Sequence, residues 1–82
     1  MSDLKKLPKV IGAKQTAKAL QKDEVSVLYL AKDAESRVVE PLEGLARSKG
    51  VEIIKVPSMK ELGRMFGIEV GAATAALIKK SK

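Results

Sequence analysis

Gly12-Ala13-Lys14-Gln15-Thr16-Ala17-Lys18 sets a glycine directly before a helical pattern that carries two lysines four residues apart. That spacing is close to one helical turn, so Lys14 and Lys18 share a face. Lysine in a first turn opposes the helix macrodipole, whose positive end lies there, at a cost of roughly 0.3 to 1 kcal/mol. An anion resolves the conflict. Unpaired amides at the helix start and two ammonium groups can converge on phosphate, Gln15 can present its amide to base edges, and Gly12 lets a sugar-phosphate chain come close. Local evidence also fits a plainer reading, in which Gly12 is an ordinary helix cap and the lysines are a solvated face.

A second segment, Gly67-Ile68-Glu69-Val70-Gly71-Ala72-Ala73, holds two aliphatic residues in a short loop fenced by glycines. Such a loop exposes Ile68 or Val70 unless both tuck inward. Exposed, they can pack against an unpaired base; tucked in, they plug the end of a sheet. Asp33 and Glu35 form a carboxylate pair only on paper, because Lys32 and Arg37 flank them in a turn-like, solvated stretch. Met59, Met65 and Phe66 read as core packing, and Lys79-Lys80-Ser81-Lys82 as a solubilising end that adds diffuse phosphate attraction.

Composition narrows the chemistry further. The chain has no cysteine and no histidine, which removes thiolate metal sites, disulfides and the commonest general base. No dinucleotide fingerprint, phosphate-binding P-loop or nucleophile elbow occurs, so we expect no enzyme, no cofactor, no metal and no small-molecule substrate. A net charge of +6 on 82 residues favours polyanions. One tyrosine and one phenylalanine do not make the stacking platform of single-strand binders, so a structured RNA is the better target. No stretch approaches the ~18 to 20 apolar residues that span a bilayer, and the charged start lacks an apolar run behind it. The expectation is a cytoplasmic monomer without membrane contact.

The elements that must position these motifs follow from periodicity. The length predicts one domain over residues 1–82. A short first helix precedes a brief strand at Val10-Ile11, and Gly12 opens a helix from Ala13 to about Lys22, with Ala13, Ala17 and Leu20 on one face. Val25 to Ala31 reads as a strand covered on both faces. The next helix is expected to start near Val38, since Pro41 is tolerated in a first turn, and to stop at Gly50. Val51 to Val56 is a strand, Ser58 and Glu61 form a capping box for a helix to Phe66, and Gly67 ends that helix. Ala72 to Ile78 is rich in alanine, a helix former, but a last strand suits the alternation better. The pattern predicts an α/β fold, a three-layer α/β/α sandwich around a mixed sheet of about four strands.

Taken in order, Ile11 to Leu20, Leu30-Ala31-Lys32-Asp33-Ala34 and Lys60 to Ala73 resemble the kink-turn-binding ribosomal protein family over nearly the whole chain. The resemblance implies a glycine-led helix in the widened major groove of a kink-turn, beside its sheared G·A pairs, and a loop over a turned-out nucleotide. The RNA-contacting set that it implies is Gly12, Ala13, Lys14, Gln15, Lys18, Asp33, Ile68, Glu69, Val70 and Gly71. In it Gly12 allows backbone approach, Lys14 and Gln15 face the guanines, and Lys18 holds phosphate. Asp33 orients the site from its turn, and Ile68, Glu69 and Val70 form the apolar loop. Archaeal members carry Asn-Glu where this chain has Lys14-Gln15, which implies a more electrostatic grip. Ribosomal RNA or a kink-turn-bearing riboswitch is the implied partner, with ribosome association. A protein-interaction adaptor on the same fold, and an RNA-recognising domain of a methyltransferase, are the competing expectations.

Overall fold

The computed structural model describes residues 8–79, so the short first helix expected before Val10 lies outside the described residues. The elements alternate as expected: β1 (Lys9–Ile11), α1 (Ala13–Gln21), β2 (Val25–Ala31), α2 (Ser36–Ser48), β3 (Glu52–Val56), α3 (Met59–Met65) and β4 (Thr74–Ile78). The sheet order is β1-β4-β2-β3, with β2 and β3 parallel and β4 antiparallel to both β1 and β2. The sheet is therefore mixed. Its order was not legible from the alternation, because β4, the last strand in sequence, inserts between β1 and β2.

Side-chain alternation on β2 divides the core. Leu28 and Leu30 face α1 and α2 and pack with Leu20, Leu42 and Ala46, whereas Tyr29 and Ala31 face α3 and pack with Leu62 and Phe66. Cover on both faces explains the near-continuous apolar run. A register shift between Val25 and Val27 leaves Ser26 exposed and returns Val25 to the Leu28 side of the sheet. Tyr29 and Phe66 meet edge to face, their ring centres 5.1 Å apart at 81°. The three-layer sandwich is as the sequence implied.

The three helices of the described residues end in the same way. After α1, α2 and α3 a residue takes positive φ (Asp23, Gly50 and Gly67). In each case the next amide reaches back to the carbonyl five residues before it: Glu24 to Ala19, Val51 to Ala46 and Ile68 to Gly63, at 2.9 to 3.0 Å. This is the Schellman closure, which occupies carbonyls left open by a helix end. One expectation needs correction: α2 starts at Ser36, two residues before Val38, with the Glu35 carbonyl accepting from the amides of Val38 and Val39. Pro41 thus sits in the second turn. It is exposed, so the carbonyl that its missing N–H leaves open can be served by water.

Candidate nucleic-acid interface

Topology gathers the candidate segments at one end of the sheet. Because β1, β2 and β3 run the same way, α1, α2 and α3 all begin where those strands end, and β4 enters from that side. Four hydrogen bonds tie this end together. The Gly12 amide donates to the Thr74 carbonyl at 3.0 Å and the Ala31 amide to Ala73 at 2.9 Å. The Lys32 amide donates to Val56 at 2.8 Å and the Ala72 amide to Met59 at 3.1 Å. Three helix amino ends on one rim make it the positive pole of the backbone dipoles.

The start of α1 is built differently from that of α3. Gly12 has φ +103° and ψ 151°, a conformation that essentially only glycine adopts, and a side chain there would meet open space. Its role is therefore conformational, and the space beside it is free for a ligand. The first intrahelical bond runs from the Thr16 amide to the Gly12 carbonyl at 3.0 Å, and no described side chain caps the amides before it. Lys14, Gln15 and Lys18 are exposed on this helix, which has no acidic residue in its first turn. Neither lysine is ion-paired to any described residue. Ala13 is half-buried against the core and offers backbone rather than side chain.

At α3 two of the first amides are spoken for within the protein. The Ser58 hydroxyl accepts from the Glu61 amide at 3.1 Å, the one formed arm of the expected capping box, and the Asp33 carboxylate accepts from the Met59 amide at 2.8 Å. Asp33 thus joins the turn after β2 to the start of α3.

The glycine-fenced loop splits its two aliphatic residues. Ile68 is half-buried against Tyr29 and its neighbours, whereas Val70 is 70% exposed, the most exposed large apolar side chain among the described residues. Ile68 follows the positive-φ Gly67, and in a Schellman closure that position packs back on the helix. The loop lies against α3 through two glycines. A Cβ on Gly63 would overlap the Val70 carbonyl, and one on Gly71 would stand 3.2 Å from Met59. Glu69 and Gly71 are exposed.

Two features escaped the sequence reading. Lys22, which caps the end of α1, continues the Lys14, Lys18 row at the same four-residue step, is exposed and forms no ion pair with a described residue, and i, i+4, i+8 spacing was the available signal. A groove of about 310 Å³ between α2 and β3 opens beside the 32–35 turn, lined by Leu30, Lys32, Ala34, Val39 and Lys55 among others. Glu35 pairs with Arg37 at 3.2 Å, both well exposed, which agrees with a solvated turn. Among the described residues no cluster of His, Cys, Asp and Glu could hold a metal ion, and no helix is long and apolar enough to cross a membrane.

A family model described as the ribosomal protein L7Ae/L30e/S12e/Gadd45 family matches residues 3–82. The RNA-binding protein BH0128 of Halalkalibacterium halodurans is 57% identical over 70 residues, 85% of each chain. The RNA-binding protein YbxF of Geobacillus stearothermophilus is 40% identical over 70 residues, again 85% of each chain. Among solved structures, a Giardia lamblia 15.5kD RNA binding protein superposes with a TM-score of 0.82 at 24% identity, covering 90% of this chain and 62% of its own, which is a likeness of fold. Three segments, Ile11 to Leu20, Leu30 to Ala34 and Lys60 to Ala73, carried the resemblance, and the match of nearly the whole chain makes it membership: the protein belongs to the ribosomal protein L7Ae/L30e/S12e/Gadd45 family.

Proposed function

We propose that this chain is a non-catalytic RNA-binding protein that recognises the kink-turn and stabilises its bent form. The observation that carries the proposal is the start of α1: amides behind a glycine with open space beside it, capped by no described side chain, on a helix whose exposed lysines have no acidic partner among the described residues. Such a turn is poorly stabilised alone and well stabilised by phosphate. The names of the relatives, both RNA-binding proteins, point to the same ligand class.

In this reading α1 enters the groove at the bend, Lys14 and Gln15 face base edges, Lys18 holds a phosphate and Val70 packs on a nucleotide turned out of the helix. Ile68 supports Val70 from inside. Binding the bent form better than the extended one shifts the population between them, with no chemical step. Ribosomal RNA or a riboswitch bearing a kink-turn supplies the target, in the cytoplasm and in association with ribosomes, and the protein acts as a monomer.

The test is a titration against a kink-turn RNA and a straight duplex of equal length, at fixed salt near 0.1 M with magnesium. Preference for the kinked RNA by at least about 100-fold, or ~2.7 kcal/mol, is expected. Equal affinities would leave only a basic protein that binds any duplex, and no binding to either would favour an adaptor role.

A further inference from the structure

A carboxylate at a rim that binds a polyanion repels its ligand, and Asp33 is an exposed carboxylate at this rim. Its Oδ1 accepts the Met59 amide at 2.8 Å, and the Met59 carbonyl in turn accepts the Ala72 amide at 3.1 Å. Gly71 lies against the same residue, so close that an added Cβ would stand 3.2 Å from both the Met59 carbonyl carbon and its Cβ. The Ile68 amide is bonded to the Gly63 carbonyl at 3.0 Å, which holds the other end of the loop on α3. The loop that presents Val70 is therefore seated on α3, and Asp33 is the side chain that fixes the start of α3 to the turn after β2.

From this chain of contacts we infer that Asp33, which the resemblance counted among the RNA-contacting residues, is instead a positioning residue for RNA recognition, which sets where Val70 is presented by holding Met59 and does not itself touch RNA. The inference rests on the kink-turn reading above. The bond needs an acceptor at Asp33 Oδ1, whereas the charge on that carboxylate works against RNA. Acceptor and charge can be separated by substitution.

Asp33→Asn keeps an oxygen that can accept from Met59 and removes the charge; Asp33→Ala removes both. Asp33→Asn should bind a kink-turn RNA as tightly as the parent protein or more tightly. Asp33→Ala, although it also sheds a negative charge, should bind roughly tenfold more weakly, the size of one charge-assisted hydrogen bond. Combining Asp33→Ala with Val70→Ala should cost little more than either change alone, because both act through the loop, while Asp33→Ala and Lys18→Ala should multiply. Amide exchange at Met59 and Ala72 in the free protein should accelerate in Asp33→Ala and stay slow in Asp33→Asn.

Two outcomes overturn the inference. If Asp33→Ala binds as well as the parent, the bond does not position the site. If Asp33→Asn weakens binding as much as Asp33→Ala, the charge itself meets the ligand. Should the parent protein fail to prefer kinked RNA, the functional reading falls, and the exchange rates still decide whether Asp33 holds Met59 and Ala72. They also report on folding, since a globally loosened Asp33→Ala would exchange fast everywhere and count against a local role.

Discussion

The backbone of Gly63, within α3, lies against the carbonyl of Val70, so closely that any Cβ at position 63 would overlap that oxygen. Gly63 is buried and does not have positive φ. Its lack of a side chain thus serves close approach, not an unusual backbone angle. Alanine is the better helix former, by ~0.8 to 1.0 kcal/mol in an exposed helix.

Close packing overrides propensity here, and the sign of one substitution shows it. Gly63→Ala should lower unfolding stability by about 1 to 3 kcal/mol, as overpacking does, despite the gain in helix propensity. Urea denaturation followed by far-ultraviolet circular dichroism reads the change. A more stable variant would mean that the loop moves aside freely.

Ile68 and Val70 should part company under truncation. Ile68→Ala removes packing from beneath Tyr29 and Phe66 and should cost about 1 to 2 kcal/mol of stability, less than a fully buried isoleucine because Ile68 is only half-buried. Val70→Ala should change stability by no more than ~0.5 kcal/mol. If Val70 meets RNA, its truncation weakens binding to kinked RNA with the fold intact. Matched denaturation and titration series on the two variants separate the roles.

Much of this arrangement could be read from residue order. The β2 run from Val25 to Ala31 announced a strand covered on both faces, and Gly50 and Gly67 marked helix ends because a Schellman closure needs positive φ. The orientation of Ile68 was legible in principle too, since a residue that follows such a glycine packs inward. Pro41 pointed to a later start because proline favours first turns, whereas the helix gains its buried Leu42 and Ala46 whether or not one exposed carbonyl turns to water. The close approach of Gly63 to Val70 and the bond from Met59 to Asp33 could not be read at all. Met59 and Asp33 meet because β2 and β3 run side by side, and Gly63 meets Val70 because the loop after Gly67 folds back on α3.

Gly12 tests whether the backbone angle matters apart from space. A methyl group there meets nothing within 4 Å, but φ +103° is strained for any residue with a Cβ. Gly12→Ala should therefore cost about 1 to 3 kcal/mol in stability or force the start of α1 to re-form. Loss of the Gly12 to Thr74 hydrogen bond, seen as faster exchange of the amide at position 12, would mark the second outcome. Unchanged stability and exchange would show that the turn tolerates other angles.

The row Lys14, Lys18, Lys22 makes the most direct electrostatic statement about the ligand. Its members rise about 6 Å per step along α1, and no described residue neutralises them. A strand that follows α1 away from the bend would meet Lys18 and then Lys22. Removing one lysine that neutralises a phosphate should lower the slope of log affinity against log salt by roughly 0.7 to 0.9. Lys18→Ala and Lys22→Ala should each show that drop, and the double variant about twice as much. Arg47→Ala should leave the slope alone, because Arg47 lies near the far end of α2 and is paired with Glu43 at 2.8 Å. A normal slope for Lys22→Ala with a reduced one for Lys18→Ala would confine the phosphate track to the first half of α1.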